Sequence, residues 1–184
     1  MVGAGFIACE FACILQGLGV SVTQVVRGPS LLRGFDAELS SSVLDGMRDS
    51  GIEVVFEETV TSVEGETGAL LAQLSDGTSR ACGGVLMATG RRPWLQDLAL
   101  EEAGISTEAG RIKVDSDSCT SVPHIYAVGD VTDRVNLTPV AIDEGRAFAD
   151  SAFGTRHRCV DHDLVASAVF SDPELATVGL SEEV

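Results

Sequence analysis

Three small residues near the start of the sequence have the types and spacing of a nucleotide-binding turn. Gly3, Gly5 and Ala8 form a G-x-G-x-x-A pattern, in which the glycines let the backbone turn tightly and approach a pyrophosphate. The small side chain of Ala8 lets the following helix pack close to a sheet. The N-terminus of that helix, at Phe6 and Ile7, would present free N–H groups and a partial positive charge to phosphates.

Two arginines follow the strand that we expect at residues 21–26. An NAD-binding unit would place an acid there to bind the ribose hydroxyls, whereas this sequence has Arg27, with Arg33 close behind. A planar guanidinium can hold a 2′-phosphate with two hydrogen bonds. The alternative is an ordinary glycine turn with two solvated arginines. Motif, element order and charge together favour NADP(H) binding.

Composition excludes several classes of partner. The 184 residues contain 12 basic and 28 acidic side chains, for a formal net charge of −16. This charge argues against nucleic acid and anionic membrane surfaces as partners, and no apolar run approaches the ~20 residues of a membrane span. The five cysteines match neither a secreted disulfide framework nor a zinc site, so no metal is expected. Cys9 and Cys13 share a helix face and are interpreted as small buried residues, with a redox pair as the alternative.

The element pattern predicts an α/β fold. A helix from Phe6, a strand, a helix from Ala37 with Asp36 as N-cap, and a strand at 52–56 give β-α-β order and a parallel sheet. An antiparallel meander follows at 60–74. Residues 1–92 are therefore predicted to form one dinucleotide-binding domain. Since two residues precede the glycine turn, we expect this domain to lack most of its first strand and the chain to be a fragment.

A second region begins after Pro93. We expect a short helical linker at 95–104, strands at 111–115 and 125–130, and a helix to Phe153 with Thr138 as N-cap and Pro139 at its first position. Asp130, after a glycine at the end of a strand, is placed to accept hydrogen bonds from sugar-like hydroxyls. Its chemistry alone fits the capping of a turn equally well.

Five motifs occur in a characteristic order: GAGFIACE, VVRGPSLLRGFD, ATGRRP, YAVGDVTDRVNLTPVAIDEGR and VFSDPELATVGLSE. In this order they resemble the class I pyridine nucleotide–disulfide oxidoreductases, and within them the glutathione reductases. The resemblance implies an FAD-containing homodimer in which electrons pass from NADPH to flavin, to a cysteine pair, and to glutathione disulfide. It also implies three domains: a Rossmann-like three-layer NADP(H)-binding domain at 1–92, the returning part of the FAD domain at 93–158, and the start of an α+β dimerisation domain at 159–184.

The resemblance assigns one group of residues to NADPH. Their matched positions are Gly3, Gly5, Phe6, Ile7, Ala8, Glu10, Arg27, Arg33 and Gly90. Phe6 stands where glutathione reductases usually have a tyrosine lid over the nicotinamide pocket. Glu10 matches a glutamate that pairs with a lysine beside the flavin.

A smaller group is assigned to FAD and substrate. Asp130 matches the aspartate that binds the ribityl chain, and Leu137 with Thr138 matches a backbone contact to the pyrimidine edge of the flavin. Arg146 matches an arginine that touches a glutathione carboxylate, with a solvated surface charge as the alternative.

Parts of the family pattern are absent from the sequence, namely the C-x-x-x-x-C redox pair and the C-terminal His–Glu pair. No residue is therefore assigned a catalytic role, and the fragment itself is expected to be inactive. Arg27 and Arg33 argue against NAD-linked dihydrolipoamide dehydrogenase. A mercuric or trypanothione reductase and a non-catalytic NADP-binding module remain alternatives. The expected location is the cytoplasm, with an organelle as the alternative.

Overall fold

The computed structural model describes residues 1–182. They form two compact units, one of residues 1–90 with 166–182 and one of residues 91–165. The helices and strands follow in chain order: α1 (Phe6–Gly17), β1 (Thr23–Val26), α2 (Ala37–Asp49), β2 (Glu53–Phe56), β3 (Val60–Glu66), β4 (Ala69–Leu74), β5 (Ser79–Cys82), β6 (Thr107–Glu108), β7 (Arg111–Ile112), a 3₁₀ helix (Gly129–Thr132), α3 (Thr138–Phe153), β8 (Ser167–Val169) and β9 (Leu175–Thr177).

The first unit contains the predicted parallel β-α-β arrangement. Strand β1 pairs with β2 in parallel, from Thr23 opposite Glu53 onward. Val2 forms parallel bridges to both Val25 and Met87, so the backbone before the glycine turn lies between β1 and the segment at 85–88. Within residues 1–182, the segment at 85–88 therefore pairs with the rest of the parallel sheet only through the bridge between Val2 and Met87, and it does not form a full strand. The Rossmann-like α/β prediction is confirmed.

The antiparallel meander is also confirmed, with strand order β3-β4-β5.

The hydrophobic core of the first unit lies between its helices and the parallel strands. Helices α1 and α2 each bury an apolar face there, and β8 and β9, from the C-terminal part of the chain, complete the core. Its buried members are Cys9, Ala12, Val22, Val26, Leu31, Leu32, Val43, Met47, Ile52, Val169 and Leu175. Because α1 carries Cys9 and Ala12 at contact positions, small side chains hold this helix close to β1.

Several predicted elements of the second unit are absent or shorter than predicted. The predicted linker helix at 95–104 is a series of turns, because Asp97 and Ala99 both have positive φ. The predicted strand at 111–115 is paired only at Arg111–Ile112. The predicted strand at 125–130 is a single bridge at Tyr126 followed by the 3₁₀ helix, which begins where Gly129 takes a φ of 73°. A left-handed residue cannot continue an extended strand.

The predicted N-cap of α3 is wrong by one residue. Leu137 is the N-cap, with extended backbone at φ −128° and ψ 134°, and the helix begins at Thr138. Asp36 is the N-cap of α2 as predicted, but its side chain does not cap the helix. Its Oδ1 accepts instead from the backbone N–H of Glu182 at 2.6 Å.

Among the described residues, no helix combines the length and apolar character that crossing a membrane requires.

Candidate functional site

The glycine turn of the first unit is fixed by close backbone packing. Gly3 has a φ of 140°, and a Cβ there would lie 2.2 Å from the carbonyl oxygen of Ala88. The N–H of Gly3 donates to the Val25 carbonyl at 3.0 Å. The amide Nε2 of the fully buried Gln24 donates to the Gly3 carbonyl at 2.9 Å. Only glycine satisfies both this conformation and this contact.

The N-terminus of α1 is open. Gly5 is its N-cap, no side chain caps it, and its first turn contains no acidic residue. A Cβ on Gly5 would meet no atom within 4 Å. Ala8, one turn in, is 0% exposed and gives the helix its close approach to the sheet. The N–H groups of the first turn are therefore available to an anionic ligand, as a pyrophosphate requires.

Both predicted arginines belong to the loop beside this turn. Arg27 directly follows β1, and the backbone N–H of Leu32 donates to the Ala4 carbonyl at 2.8 Å, which holds the residue before Arg33 against the glycine turn. Arg27 and Arg33 are both exposed to solvent. Within residues 1–182 neither arginine forms an ion pair. Two exposed arginines with no ion pair among the described residues therefore belong to the loop that contacts the glycine turn.

The other residues assigned to NADPH differ in how far they are exposed to solvent. Phe6 begins α1 and is 36% exposed, while Ile7 is half-buried. Gly90 is exposed at a φ of 139°, with no atom within 4 Å of a Cβ placed on it. Glu10 is half-buried, and its Oε1 accepts from the backbone N–H of Phe170 at 3.0 Å. In this structure the glutamate therefore connects α1 to the end of β8.

The cysteine pair of α1 has little thiolate character. Burial raises the pKa of the Cys9 thiol to about 11. Burial also raises the pKa of Cys13, whose sulfur accepts from the Asp172 N–H at 3.5 Å. Because disulfide exchange proceeds through a thiolate, these two thiols lack the main property of a redox pair.

In the second unit, Asp130 lies in the 3₁₀ helix at the wall of a cleft. Its Oδ2 accepts from an NH2 group of Arg91 at 2.8 Å. The cleft has a volume of about 240 Å³ and is lined by Arg91, Arg92, Pro93, Trp94, Asp130, Val131 and Asn136. The aspartate is half-buried and retains a second carboxylate oxygen for hydroxyl donors. This geometry suits the binding of a polyhydroxyl chain.

Leu137 and Thr138 form the start of α3, and Arg146 lies two turns further along. No side chain caps this helix and its first turn has no acidic residue, so it too presents free N–H groups. Thr138 is exposed. Arg146 is exposed, and it forms no ion pair with any residue in the described range 1–182. A free guanidinium is available there to bind a carboxylate.

Sequence reasoning missed the residue that holds the Asp130 turn. Glu144 of α3 is 3% exposed, and its Oε2 accepts from the backbone N–H of Gly129 at 2.5 Å. Its Oε1 accepts from Arg134 at 2.9 Å and contacts His162 Nε2 at 2.7 Å. The sequence did contain a signal for this role. Glu144 lies between Val140 and Ala147 on the apolar face of the helix, and an acid buried there requires hydrogen-bond or ion-pair partners.

Known proteins resemble this chain over its full extent. The family profile described as "Pyridine nucleotide-disulphide oxidoreductase" matches residues 1–145. A glutathione reductase of Burkholderia cepacia is 50% identical over 99% of this chain, and one of Nostoc sp. is 45% identical over 99%. A trypanothione reductase of Trypanosoma congolense is 42% identical over 99%. The chain spans 41%, 42% and 38% of the lengths of these relatives, respectively.

Solved structures agree with this likeness. LpdA of Mycobacterium tuberculosis superposes with a TM-score of 0.91 at 31% identity, over 99% of this chain and 40% of that protein. The HOCl-induced flavoprotein disulfide reductase RclA of Escherichia coli gives a TM-score of 0.90 at 28% identity, over 99% and 43%. The cofactors predicted from the sequence, FAD and NADPH, are those of this group of enzymes. The chain belongs to the pyridine nucleotide–disulphide oxidoreductase family.

Proposed function

We propose that this chain provides the NADPH-binding region and part of the flavin-binding region of an FAD-dependent reductase of glutathione disulfide. The observation that carries the proposal is the pair of exposed arginines, Arg27 and Arg33, which form no ion pair within residues 1–182 and belong to the loop beside the glycine turn before α1. The names of the relatives at 50% and 45% identity support the choice of substrate.

The residues around the glycine turn fit NADPH. The N–H groups of α1 bind the pyrophosphate, and the open space over Gly5 lets it approach the backbone. Arg27 and Arg33 bind the 2′-phosphate through charge-assisted hydrogen bonds. Phe6 covers the nicotinamide pocket, with Ile7 and Gly90 beside it. NADPH supplies a hydride, and the protein supplies its binding and orientation.

FAD fits the residues of the second unit. Asp130 accepts hydrogen bonds from the ribityl hydroxyls, and the N-terminus of α3 at Leu137 and Thr138 faces the pyrimidine edge of the flavin. The partial positive charge of a helix N-terminus favours negative charge on that ring. In this proposal Glu144 positions the turn that carries Asp130 and makes no contact with flavin itself.

Arg146 is proposed to bind a carboxylate of glutathione, and the assembled enzyme is proposed to be a homodimer. A cytoplasmic location is proposed, with an organelle as the alternative, since a relative of Pisum sativum at 43% identity is named chloroplastic/mitochondrial. Nucleic acid and membranes are not proposed as partners, given the net charge of −16. Reduction of trypanothione disulfide is a second candidate because a trypanothione reductase is 42% identical.

A chimaera tests the proposal. This chain replaces the matching 183-residue region of the Burkholderia cepacia relative, and NADPH oxidation is followed with glutathione disulfide or trypanothione disulfide. We expect bound flavin and glutathione-dependent turnover within about tenfold of the unaltered relative, which is ~1.4 kcal/mol in the activation free energy. The matched control is the same chimaera with Arg146→Gln, which is expected to raise the KM for glutathione disulfide while NADPH reduces the flavin normally.

Two other outcomes would overturn the first candidate. A chimaera that retains flavin and prefers trypanothione disulfide would replace the first candidate by the second. One that binds flavin and NADPH and reduces neither disulfide would contradict the reductase proposal in favour of a non-catalytic NADP-binding module. Retention of flavin separates both outcomes from simple misfolding.

A further inference from the structure

Three side chains from two distant parts of the second unit meet on its surface. Asp117 belongs to a turn after β7, whereas His157 and Cys159 follow α3. The Cys159 sulfur lies 3.1 Å from Asp117 Oδ1 and 3.5 Å from His157 Nε2. His157 Nε2 lies 3.5 Å from the same oxygen. Among residues 1–182 this is the one group of three such side chains close enough to share a metal ion.

The two distances to His157 Nε2, 3.5 Å each, match the edges of a zinc coordination tetrahedron. The 3.1 Å between the Cys159 sulfur and Asp117 Oδ1 is shorter than such an edge, because the thiol donates a hydrogen bond to the carboxylate there. Zinc bonds of ~2.3 Å to sulfur and ~2.0–2.1 Å to nitrogen and oxygen, at tetrahedral angles, place the ligand atoms about 3.3–3.6 Å apart. All three side chains are exposed, so a fourth position faces solvent. The set of thiolate, imidazole and carboxylate favours Zn²⁺ over Mg²⁺ or Ca²⁺, because the hard cations prefer oxygen ligands.

The backbone on both sides holds these ligands in place. The Ser151 hydroxyl donates to the Arg158 carbonyl at 3.1 Å and accepts from the Arg158 N–H at 2.9 Å. The Arg158 guanidinium pairs with Asp143, and the two residues that flank Arg158 are His157 and Cys159. On the other side, Asp115 Oδ1 accepts from the N–H groups of Asp117 and Cys119, each at 2.9 Å.

We propose that Asp117, His157 and Cys159 form a Zn²⁺ site with three protein ligands and one solvent ligand. Binding forms one bond each to sulfur, nitrogen and oxygen and releases the thiol proton of Cys159 to solvent. One carboxylate and one thiolate neutralise the charge of the ion. The ion links the segment after α3 to the turn after β7, 40 residues earlier in the sequence. This site does not depend on the proposed reductase activity, because it includes none of the residues assigned to NADPH, FAD or glutathione.

Cobalt(II) gives the direct test, because a thiolate ligand produces a charge-transfer band and a tetrahedral site produces intense visible bands. The tag-free, reduced chain is treated with chelator, then titrated with Co²⁺ and back-titrated with Zn²⁺. We expect one equivalent of Co²⁺ with both features, full displacement by Zn²⁺, and release of about one proton per ion. Cys159→Ser is expected to abolish the charge-transfer band. His157→Gln and Asp117→Asn are each expected to weaken binding by about tenfold or more.

The matched controls are Cys119→Ser and His124→Gln, two nearby residues outside the cluster. The Cys119 thiol faces the Val122 and Pro123 carbonyls instead. Both controls are expected to bind Co²⁺ as the parent chain does, with circular dichroism confirming that every variant is folded. A charge-transfer band that persists in folded Cys159→Ser would overturn the proposal. So would octahedral, thiolate-free Co²⁺ binding by the parent, or no binding at 100 μM free metal.

Discussion

The two proposed ligand regions differ in whether their charged groups already have partners within the chain. Beside the glycine turn, Arg27 and Arg33 lie in solvent without an ion pair in the described chain, and the N-terminus of α1 is uncapped. Around Asp130 the charges are paired, with Arg91 on Asp130 and with Arg134 on the buried Glu144, which His162 also contacts. The first region has free donors for an anionic ligand, whereas the second uses its ion pairs to fix a turn.

This difference predicts which residues of each region can be substituted without loss of stability. Exposed, unpaired donors contribute little to the free energy of unfolding, because they make no intramolecular bond that folding would gain. A buried carboxylate with three partners is different, since removal of one member leaves the others desolvated and unpaired. Mutations of Arg27 and Arg33 should therefore affect ligand affinity with little change in stability, and mutations of Glu144 should affect stability.

The largest expected effect is on stability, from Glu144→Ala. This change leaves Arg134, His162 and the Gly129 N–H without their shared partner, and we expect it to lower the free energy of unfolding by about 3–5 kcal/mol. Urea unfolding measures the loss, and hydrogen exchange of the Gly129 amide reports the local opening. The control, Asp150→Ala on the exposed face of the same helix, should change stability by about 0.5 kcal/mol or less. Equal behaviour of the two variants would show that Glu144 is not the support of this turn.

Two neighbouring glycines provide the next test. Gly3→Ala places a Cβ 2.2 Å from a backbone oxygen at a φ of 140°, and we expect it to cost about 2–3 kcal/mol of stability. Gly5→Ala meets open space at a φ of −84°, so stability should stay within about 0.5 kcal/mol. Affinity for NADPH should nevertheless fall in Gly5→Ala, because the methyl group occupies the approach of the pyrophosphate. Calorimetry and thermal unfolding of both variants measure these effects, and unchanged NADPH affinity in Gly5→Ala would remove the glycine turn from the binding site.

The smallest effect concerns Phe6. Since its ring is already 36% exposed, Phe6→Tyr should leave stability unchanged and alter NADPH affinity by no more than about threefold. Phe6→Ala removes the ring and should weaken NADPH binding by a larger factor. Stopped-flow binding measures both variants. If neither differs from the parent chain, Phe6 does not cover the nicotinamide.

The sequence predicted the first unit better than the second for a physical reason. The apolar periodicity of α1 and α2 and the parallel strands at 23–26 and 53–56 are local signals, and these elements are present. In the second unit the backbone is set by left-handed residues such as Asp97, Ala99 and Asp133, whose side chains give little indication of φ. Extended apolar runs there were consequently interpreted as strands.

The same limit applies to the sites. The assignment of Arg27 and Arg33 stays a prediction, and it could be made because a short stretch of sequence contains both the motif and the two charges. Glu144 could not, because its partners come from positions 10 to 18 residues away and are brought together only by folding. The Asp117, His157 and Cys159 cluster was missed for the same reason, since its members lie up to 42 residues apart. Cysteine spacing alone predicted no zinc site.

Arg27 and Arg33 are proposed to select a 2′-phosphate. Calorimetry of the chain with 2′,5′-ADP and with 5′-AMP tests it most directly, because the two ligands differ only in that phosphate. We expect 2′,5′-ADP to bind about 10–150-fold more tightly, which corresponds to ~1.5–3 kcal/mol for charged hydrogen bonds. The ratio should approach one in the double variant Arg27→Gln/Arg33→Gln and stay unchanged in the control Arg48→Gln, an exposed arginine of α2. Equal affinities for the two nucleotides in the parent chain, or an unchanged ratio in the double variant, would show that Arg27 and Arg33 do not select the 2′-phosphate.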